Sequence, residues 1–577
     1  MPTNECTTGQ PSSPEAFDAF LESDWQAFLD ENPLHATEIG DRSRNHRWPD
    51  LSSEAFETRL RRAGDALSAA ESIAPAVLPP RQQLDLELFR RKYRDTVEGA
   101  PFGWRRMPLS AREGIQDASF VADSIAFGET ADYEQWIERL RGFPAYMDQT
   151  LELMREGIRA GMVHARVVML RVPRQIERQI VEEPEASPFY QPLLRMPAAV
   201  DAAAGPRLRA AAADAIHKEV LPAYRRMLAF FRDEYLPACT EDCGAWQWPR
   251  GEEMYAYFAR VMTTTAMTPG EIHELGLEEV ARIREQMQGV VDRIGHTGSF
   301  AEFLEQLRSD PSQYYATGEE LQAGYQALCD RIDGELPRLF RKLPRTWYDI
   351  QPIPENLAPD TTTAYYRPLS ADGKRPGTYF VNLYRPDLRP KYEMEALSLH
   401  EAVPGHHLQI GLAAELEGLP SFRRLAPEGE YTGYVEGWAL YAESLGHELG
   451  CYEDPTSEFG RLTYEMWRAV RLVVDTGIHA FRWPREKAIE YFAGHTAKVR
   501  HDIENEVDRY IAWPGQALAY KVGEVEIQRL RQRAERELGG GFDLPELHDV
   551  LLRNGAVPLD VLEQQVSDWL TTKNAGG

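Results

Sequence analysis

The residues with the clearest capacity for chemistry lie between positions 397 and 409, in the sequence LSLHEAVPGHHLQ. Three histidines, His400, His406 and His407, and the carboxylate of Glu401 fall within eight residues. Neutral imidazole is the commonest ligand of zinc, and an adjacent glutamate can take a proton from water on the metal. In the H-E-x-x-H arrangement, two histidines four residues apart share one face of a helix and the glutamate is the base. We therefore predict a divalent-metal site here, with three structural histidines as the alternative.

The spacing departs from that arrangement, because Pro404 stands four residues after His400. On an unbroken helix His406 would face about 240° away from His400, and His407 would lie about 10 Å further along the axis. Proline at this position removes a helical hydrogen bond and clashes with the preceding turn, so the helix must kink or bulge. Gly405 tolerates the resulting backbone. We predict that the two extra residues return His406 to the ligand position, with His407 as the fallback ligand.

A third protein ligand is expected on the next helix, whose sequence at 434–444 is YVEGWALYAES. Catalytic zinc takes three protein ligands and keeps one position open for water. Glu436 and Glu443 are seven residues apart and so share one helical face. We predict Glu436 as the third ligand and Glu443 as a carboxylate that supports the site or substitutes for Glu436. A solvated surface charge is the alternative for both, although the neighbouring Trp438 makes this helix largely apolar.

Two later segments place polar groups in apolar surroundings. Arg468, Arg471, Asp475 and His479 repeat at helical spacing in the run RAVRLVVDTGIH. Buried charges need partners, so this stripe forms an ion network or lines a cleft. Tyr520, in the segment WPGQALAYKVG, could donate a hydrogen bond to an oxyanion. We predict His479 and Tyr520 as catalytic groups and Arg468 and Arg471 as substrate-binding groups, with a structural role as the alternative for each.

Elsewhere the pattern is helical nearly throughout, and strand signals are confined to one region. Segments 346–350 and 378–384 are rich in β-branched and aromatic residues, whereas 366–368 is typical of a proline-containing loop. We predict a mainly α fold, a large helical body with a deep cleft and a small β-sheet next to the metal helix. An edge strand at 378–384 would pair with an extended peptide, and Tyr379 and Asn382 on it are predicted substrate contacts.

The sequence TPGE marks one helix start with unusual clarity. Thr268 supplies a capping hydroxyl and Glu271 the reciprocal acid, with proline at the first helical position. Apolar spacing continues this helix to about Val291. His273 and Glu274 on the same helix lack a second histidine at metal-binding spacing, so we predict that this pair is surface structure.

Composition limits the classes of function. The 577 residues have a mass of 65.7 kDa, and 64 basic against 91 acidic residues give a formal charge of −27. A surface this acidic repels phosphate backbones and anionic lipids, so we predict neither nucleic-acid binding nor membrane association. The 43% apolar content supports a sizeable folded core. We predict an N-terminal helical region, 1–260, and a catalytic region, 261–577, that together form one cleft.

Cysteine usage and the N-terminus favour a cytoplasmic protein. The start, MPTNEC, has neither the basic nor the apolar segment of a signal peptide. The five cysteines include one close pair, Cys239 and Cys243, whose three intervening residues are not a redox or zinc-ribbon spacing. We predict reduced thiols, with a disulfide between Cys239 and Cys243 as the alternative.

Four segments together resemble a known family. HEAVPGHHLQ, EGWALYAE, DTGIHA and PGQALAYKVG are similar to the bacterial domain-of-unknown-function family 885. This family looks like a zincin-like metallopeptidase of mostly helical build, similar in style to carboxypeptidase Taq, oligopeptidases and angiotensin-converting enzyme. In those relatives the motif reads H-E-x-G-H or H-E-x-x-H, and the glycine before His406 favours this histidine as the second one. The resemblance implies His400, His406 and Glu436 as metal ligands and Glu401 as the base.

These observations predict a zinc-dependent peptidase that hydrolyses short peptides. Capture of a C-terminal carboxylate by a cationic side chain would make it a carboxypeptidase or dipeptidyl carboxypeptidase. One divalent ion is expected, and manganese or cobalt would suit the same imidazole and carboxylate ligands. Two alternatives stay open: a metal-dependent amidase acting on a non-peptide or modified amino-acid amide, and a non-catalytic helical binding protein with a structural metal site.

Overall fold

A computed structural model of the chain describes residues 13–201, 203–355, 358, 362–369, 375–427, 429–496, 498 and 500–576. Over these residues the protein is mainly α-helical and contains one small three-stranded sheet, which confirms the predicted fold class. The deep cleft stays a prediction. Among the described helices, none combines the length and apolar character needed to cross a membrane.

The chain forms two compact units. The first takes residues up to 243 together with 247–251 and 419–427, and the second takes 244–246, 252–418 and 428–577. The division after residue 260 stays a prediction.

The first unit consists of helices of very different lengths. They are α1 (Pro14–Glu31), α2 (Pro33–Glu38), α3 (Ser53–Ser72), α4 (Pro80–Gly99), α5 (Thr130–Ala160), α6 (Arg166–Met169), α7 (Val172–Arg178), α8 (Gln191–Leu194), α9 (Ala204–Ala215), α10 (Leu221–Phe230), α11 (Leu236–Ala238) and α18 (Ser421–Arg424). In α5, the longest, Trp136, Leu140, Phe143 and Met147 recur at three- and four-residue spacing and are fully buried. One apolar face of this helix therefore lies in the core of the unit.

The second unit contains the remaining helices and the sheet. Its helices are α12 (Gly251–Thr263), α13 (Pro269–Ile294), α14 (Phe300–Ser309), α15 (Gly318–Glu335), α16 (Met394–Glu401), α17 (His406–Ala414), α19 (Thr432–Ser444), α20 (Pro455–His479), α21 (Arg485–Ala493), α22 (Arg500–Ala512), α23 (Ala519–Leu538), α24 (Leu544–Leu552) and α25 (Leu559–Gly576). Its strands are β1 (Tyr348–Pro352), β2 (Ala364–Arg367) and β3 (Gly377–Val381).

Helix α13 begins with the predicted capping box. The Thr268 hydroxyl accepts a hydrogen bond from the main-chain N–H of Glu271, and the Glu271 carboxylate accepts one from that of Thr268. This confirms the predicted helix start. The helix continues to Ile294, and Gly295 ends it in the left-handed conformation that favours glycine.

His273, on α13, is buried, whereas its neighbour Glu274 is exposed, so the prediction of a surface pair is wrong for the histidine. Its Nδ1 lies 2.7 Å from the Thr476 hydroxyl of α20. The physical reason is the close packing of α13 on α20, where a Cβ atom on Gly276 would lie only 2.7 Å from that of Leu472. The sequence of one helix does not show which other helix will pack on the face that carries His273.

The sheet has the strand order β1–β3–β2, with β1 parallel and β2 antiparallel to the central β3. All five residues of β3 are buried. A strand is present in the segment predicted at 378–384, but its predicted edge position is wrong, because it has partners on both sides. Strand β2 includes Tyr366 and Arg367, which we expected to lie in a loop, and it is one of the two true edges.

Tyr379 and Asn382, predicted as substrate contacts, are part of the core around this sheet. Tyr379 is fully buried, and its hydroxyl lies 3.4 Å from that of Ser398. The side-chain amide of Asn382 donates to the main-chain oxygens of Ala358, at 2.8 Å, and Thr362, at 3.0 Å. Both side chains are enclosed by the protein, and this corrects the prediction that they contact substrate.

The four cysteines of the described part of the chain are not joined in disulfides. Cys239, Cys243, Cys329 and Cys451 are buried thiols. Cys6 lies with the N-terminal segment outside the described residues. The cytoplasmic location stays a prediction.

Candidate metal centre

The segment between α16 and α17 sets the positions of the two candidate ligand histidines. Helix α16 ends at Glu401 and α17 begins at His406, so the helix is interrupted around Pro404. The main chain folds tightly here, because a Cβ atom on Gly405 would overlap the carbonyl oxygen of His400. His406 therefore starts a new helix and is not held to the 240° offset that a continuous helix would impose.

Helix α19 carries Glu436 and is held against this turn. The indole N–H of Trp438 donates to the Pro404 carbonyl oxygen at 2.8 Å. On the same helix, a Cβ atom on Gly437 would lie 2.6 Å from the Cα of Gly523 in α23, so the two helix backbones are in direct contact. These contacts bring α16, α17, α19 and α23 together around one point.

His400, His406 and Glu436 meet at that point. One ligand atom from each lies within 4.8 Å of the others. Glu436 Oε2 is 3.5 Å from His400 Nε2 and 3.6 Å from His406 Nε2. Ligand atoms about 2.05 Å from a tetrahedral ion would be separated by about 3.3 Å. The two distances from Glu436 Oε2 are close to that separation.

Two atoms of this cluster are buried without a hydrogen-bond partner. They are Glu436 Oε2 and His406 Nδ1. Burial would raise the pKa of Glu436, but the neighbouring His400 and His406 and the charge of Arg471 lower it to about 2, so the carboxylate is ionised. Burial lowers the pKa of His406 to about 4, which leaves its imidazole neutral. An ionised carboxylate and a neutral imidazole are the forms that bind a metal ion.

Glu443 supports His400 from the side away from Glu436. Its Oε1 lies 2.8 Å from His400 Nδ1, and both side chains are buried. A carboxylate on one ring nitrogen fixes the tautomer so that the other nitrogen presents its lone pair to a metal. Burial would lower the pKa of His400, but Glu436, Glu443 and Glu401 raise it to about 9. Without a metal ion, both nitrogens of this imidazole therefore carry a proton at neutral pH.

Glu401 is the last residue of α16 and lies beside the cluster. Burial and the charge of Glu436 raise the pKa of its carboxyl to about 7, against the effect of His400 and Arg468. The main-chain N–H of Tyr366 lowers this pKa to a smaller extent. A carboxyl that titrates near neutral pH is suited to accept and return a proton.

His407 does not join the cluster. Its Nε2 lies 3.1 Å from the Thr346 carbonyl oxygen, and its Nδ1 lies 2.9 Å from the Tyr366 hydroxyl. Burial lowers the pKa of this imidazole to about 4. Both ring nitrogens of His407 are therefore hydrogen-bonded. His406 lies with His400 and Glu436, whereas His407, the fallback ligand, faces the sheet.

Arg468 and Arg471 are both buried, each with 6% of its surface exposed. Arg468 Nη2 is 3.7 Å from Glu443 Oε1, which links α20 to the support of His400. Arg471 donates from Nε to the Tyr510 hydroxyl at 3.0 Å and from Nη2 to Glu506 at 3.2 Å. Its Nη1 is buried and has no hydrogen-bond partner.

Tyr520 lies beside Arg471, whose guanidinium is 4.4 Å from the centre of its ring. Burial and the charge of Glu436 raise the pKa of Tyr520, so its hydroxyl keeps its proton and can donate. His479 is different: its Nδ1 accepts from the Ala245 N–H and its Nε2 donates to the Tyr510 carbonyl oxygen, both at 2.9 Å. No nitrogen of His479 is left for the predicted oxyanion role, because main-chain groups occupy both.

A second group of three carboxylates lies apart from these residues and encloses an ammonium group. Glu279, Glu465 and Glu524 surround the fully buried Lys521, whose Nζ is 2.9, 2.8 and 2.7 Å from their oxygens. In the described parts of the chain, this group and the His400 cluster are the two sets of three ligand atoms close enough to share an ion. Lys521 already supplies the positive charge in the second one.

A protein-family model described as a bacterial protein of unknown function (DUF885) matches residues 33–566. The chain belongs to this family. This DUF885 protein is similar in structure to a candidate lipoprotein from Colwellia psychrerythraea, with 28% identity, a TM-score of 0.89 and coverage of 97% of this chain and 100% of that one. A candidate lipoprotein of unknown function from Shewanella oneidensis has 15% identity and a TM-score of 0.69, with coverage of 95% and 99%. The latter shows a shared fold alone, and no curated protein matches the chain.

Sequence reasoning missed Tyr366 in this DUF885 protein. It lies on β2, and its hydroxyl is 2.9 Å from His407 Nδ1. The run TTTAYY at 361–366 has the β-branched and aromatic content typical of a strand, and this signal could have found it. The following Pro368 favoured a loop and obscured the strand.

Proposed function

We propose that this DUF885 protein is a zinc-dependent, zincin-like peptidase, with His400, His406 and Glu436 as the metal ligands. The observation that supports this best is the buried Glu436 Oε2, which lies between two imidazole Nε2 atoms at 3.5 and 3.6 Å. Without a metal ion the protonated His400 compensates this carboxylate, and a divalent cation at the same point would replace that proton. Two imidazoles and one carboxylate, with one position open, form a ligand set typical of catalytic zinc.

Glu401 acts as the base in this proposal. A divalent ion held by the three ligands would polarise the scissile carbonyl group and lower the pKa of a water molecule. Glu401 accepts the proton of the attacking water and later delivers it to the leaving amine. In the metal-free protein, burial and the charge of Glu436 raise the pKa of this carboxyl to about 7, so it binds a proton more readily than an exposed glutamate does.

Arg471 is suited to bind a substrate carboxylate. Two of its nitrogens are held by Tyr510 and Glu506, and the third, Nη1, is buried and unpartnered. A guanidinium binds carboxylate strongly through charge-assisted hydrogen bonds. The Tyr520 hydroxyl next to it would donate to the same carboxylate or to the oxyanion of the transition state. These features favour a substrate with a free C-terminus and an activity of the carboxypeptidase or dipeptidyl-carboxypeptidase type.

The test is hydrolysis of a library of short peptides by the zinc-loaded protein and its Glu401→Gln variant. We expect one zinc per chain in both proteins. We expect the variant to lose at least about 100-fold in rate, because it cannot accept the proton. The exposed Glu490→Gln is the matched control and keeps the wild-type rate.

Other outcomes would favour the alternatives. Bound zinc without hydrolysis of any peptide, together with a Glu401→Gln variant equal to wild type in every assay, would indicate a binding protein with a structural metal. Hydrolysis restricted to a non-peptide amide would indicate an amidase.

A further inference from the structure

We propose that Asp475 and His479 are positioning residues that hold the main chain of segment 510–515, and that this segment holds Arg471 in place to bind a substrate carboxylate. The inference rests on the proposed function of Arg471. It assigns a role to the two polar side chains of the sequence DTGIHA that the proposed reaction does not use.

Arg471, Asp475 and His479 are spaced four residues apart on α20 and therefore share one face of that helix. Asp475 and His479 are fully buried. Their side chains bond to the last turn of α22 and to the turn that leads from it into α23. The face of α20 that carries the candidate carboxylate-binding group thus also fixes the segment next to it.

His479 bonds to a carbonyl group that the end of α22 leaves short of a donor. The Tyr510 carbonyl oxygen would ordinarily accept from the N–H of residue 514, but Pro514 has none. His479 Nε2 donates to this oxygen at 2.9 Å, and the main-chain N–H of Trp513 reaches it at 3.3 Å. His479 Nδ1 accepts from the Ala245 N–H, so the ring proton is on Nε2.

Asp475 holds the other end of the segment. The main-chain N–H of Gly515 donates to both carboxylate oxygens, at 3.1 and 3.3 Å, and the Tyr255 hydroxyl donates to Oδ1 at 2.6 Å. Gly515 has a φ of +83°, which favours glycine, and a Cβ atom there would lie 3.2 Å from Phe258. The turn after α22 is therefore fixed by its packing and by one buried carboxylate.

Tyr510 transmits this position to Arg471. Its carbonyl oxygen is bound by His479, while its hydroxyl accepts from Arg471 Nε at 3.0 Å and donates to Glu506 at 2.9 Å. Glu506 also accepts from Arg471 Nη2 at 3.2 Å. One residue thus connects the imidazole to the guanidinium, and the direction of the unpartnered Nη1 depends on where Tyr510 lies.

The residue after the turn reaches the same group of side chains. Gln516 follows Gly515, and its Oε1 accepts from Arg509 Nη1 at 2.6 Å. Arg509 Nη2 donates to Glu506 at 3.1 Å. The side-chain amide of Gln516 donates to the Tyr520 hydroxyl at 3.5 Å. Both ends of segment 510–515 are therefore linked to the groups that would contact a substrate carboxylate.

The test uses two substrates of the full-length, zinc-loaded protein: a short peptide with a free C-terminal carboxylate and the same peptide with a C-terminal amide. The measured quantity is the ratio of kcat/KM for the free acid to kcat/KM for the amide. A general structural defect lowers activity on both peptides equally and leaves this ratio unchanged. Arg471→Met should abolish the preference for the free acid, because it removes the guanidinium.

For His479→Leu and Asp475→Leu we expect the ratio to fall about tenfold or more, through a higher KM for the free acid, with zinc still at one per chain. His479→Gln keeps an N–H donor and Asp475→Asn keeps an acceptor oxygen, so both should recover most of the ratio. Thr476→Val is the matched control and keeps the wild-type ratio. Thr476 is equally buried on the same helix, and its hydroxyl contacts His273 on α13.

Tyr510→Phe tests the second link without removing a buried charge or ring. It lacks only the hydroxyl that bonds to Arg471, and we expect it to lower the ratio in the same direction. In an Arg471→Met background, adding Tyr510→Phe should leave the ratio unchanged, since the hydroxyl acts through the guanidinium. Calorimetric binding of both peptides to Glu401→Gln forms of these proteins should show weaker binding of the free acid alone.

Equal losses on both peptides in the two leucine variants would indicate a structural role and overturn the inference. A wild-type ratio in Tyr510→Phe, which decides the matter if the leucine variants do not fold, would do the same. Failure of the proposed function has a different signature. In that case the wild type hydrolyses neither peptide or does not distinguish them, or Arg471→Met keeps the wild-type ratio, and the inference falls with it.

Discussion

Glu436 Oε2 and Arg471 Nη1 are buried and lack hydrogen-bond partners, whereas both ring nitrogens of His407 and of His479 are bonded. The proposed function uses the first two atoms, whereas the two bonded imidazoles connect segments of the protein. All four residues are among those predicted from the sequence to bind a metal or a substrate or to act in catalysis. Their partners come from distant segments, so the role of each side chain depends on what lies opposite its polar atoms.

The proton on His400 makes zinc binding depend on pH. In the metal-free protein, the carboxylates around His400 raise its pKa to about 9, so this proton must leave when a metal takes Nε2. His406 and Glu436, with pKa values of about 4 and 2, have no proton to release near neutral pH. We therefore expect zinc affinity to rise with pH by up to about tenfold per unit between pH 7.5 and 9 and to level off above pH 9.

Isothermal titration calorimetry in buffers of different ionisation enthalpy would measure this release, with about one proton expected per zinc at pH 7.5. A zinc affinity that stays constant across this pH range would contradict the assignment of His400 Nε2 as a ligand.

Among the elements, the turn between α16 and α17 is the one on which the candidate site depends. Its Gly405 lies so close to the His400 carbonyl that no side chain fits between them. The Trp438 N–H holds the same turn from α19 through the Pro404 carbonyl oxygen. Backbone packing at this turn therefore sets the relative positions of His400 and His406. The helices on either side continue from the turn and do not set these positions.

Gly405→Ala tests that dependence. The added methyl group would displace the turn and move His406 relative to His400, so we expect zinc affinity to fall by about tenfold or more, since ligand geometry sets affinity. Competition with a chromogenic chelator would measure this. Gly289→Ala, in the middle of α13 with open space around it, is the control and keeps the wild-type affinity. Equal affinities in all three proteins would show that the turn does not position the ligands.

At the scale of the whole molecule, three acidic residues of this acidic chain lie together with basic residues in the second unit. The formal charge is −27, yet the partly buried Glu279 and the buried Glu465 and Glu524 converge on the ammonium group of Lys521. Arg282 also pairs with Glu279 and Glu465, and Arg461 pairs with Glu465, so three cations connect α13, α20 and α23. Removing Lys521 takes from the buried Glu524 its partner at 2.7 Å, and a buried charge that loses its partner is costly.

Lys521→Met should therefore lower the free energy of unfolding by about 3–5 kcal/mol. Urea unfolding followed by circular dichroism would measure the loss. The control is Lys573→Met, because Lys573 is 41% exposed and its pair with Glu546 is largely solvated. We expect less than about 1 kcal/mol for that change. A Lys521→Met variant as stable as the wild type would show that Arg282 and Arg461 suffice to compensate these acids.

The sequence correctly predicted those elements that depend on residues close together in the chain. The capping box at Thr268, the mainly α fold class and the break at Pro404 all depend on residues within one or two turns of each other. Strand β2 was missed, because four residues before a proline carry little periodic signal. The central place of β3 was also missed, since pairing joins residues far apart in the chain.

By itself the sequence determined the chemical types of the candidate site: two histidines, a neighbouring glutamate and a carboxylate on a later helix. Only the tertiary structure decided that His406 and not His407 faces Glu436, and that main-chain groups occupy both nitrogens of His479. The physical reason is that side-chain identity and short-range backbone preference are local. Which polar atoms remain unpartnered is decided by the packing of distant segments.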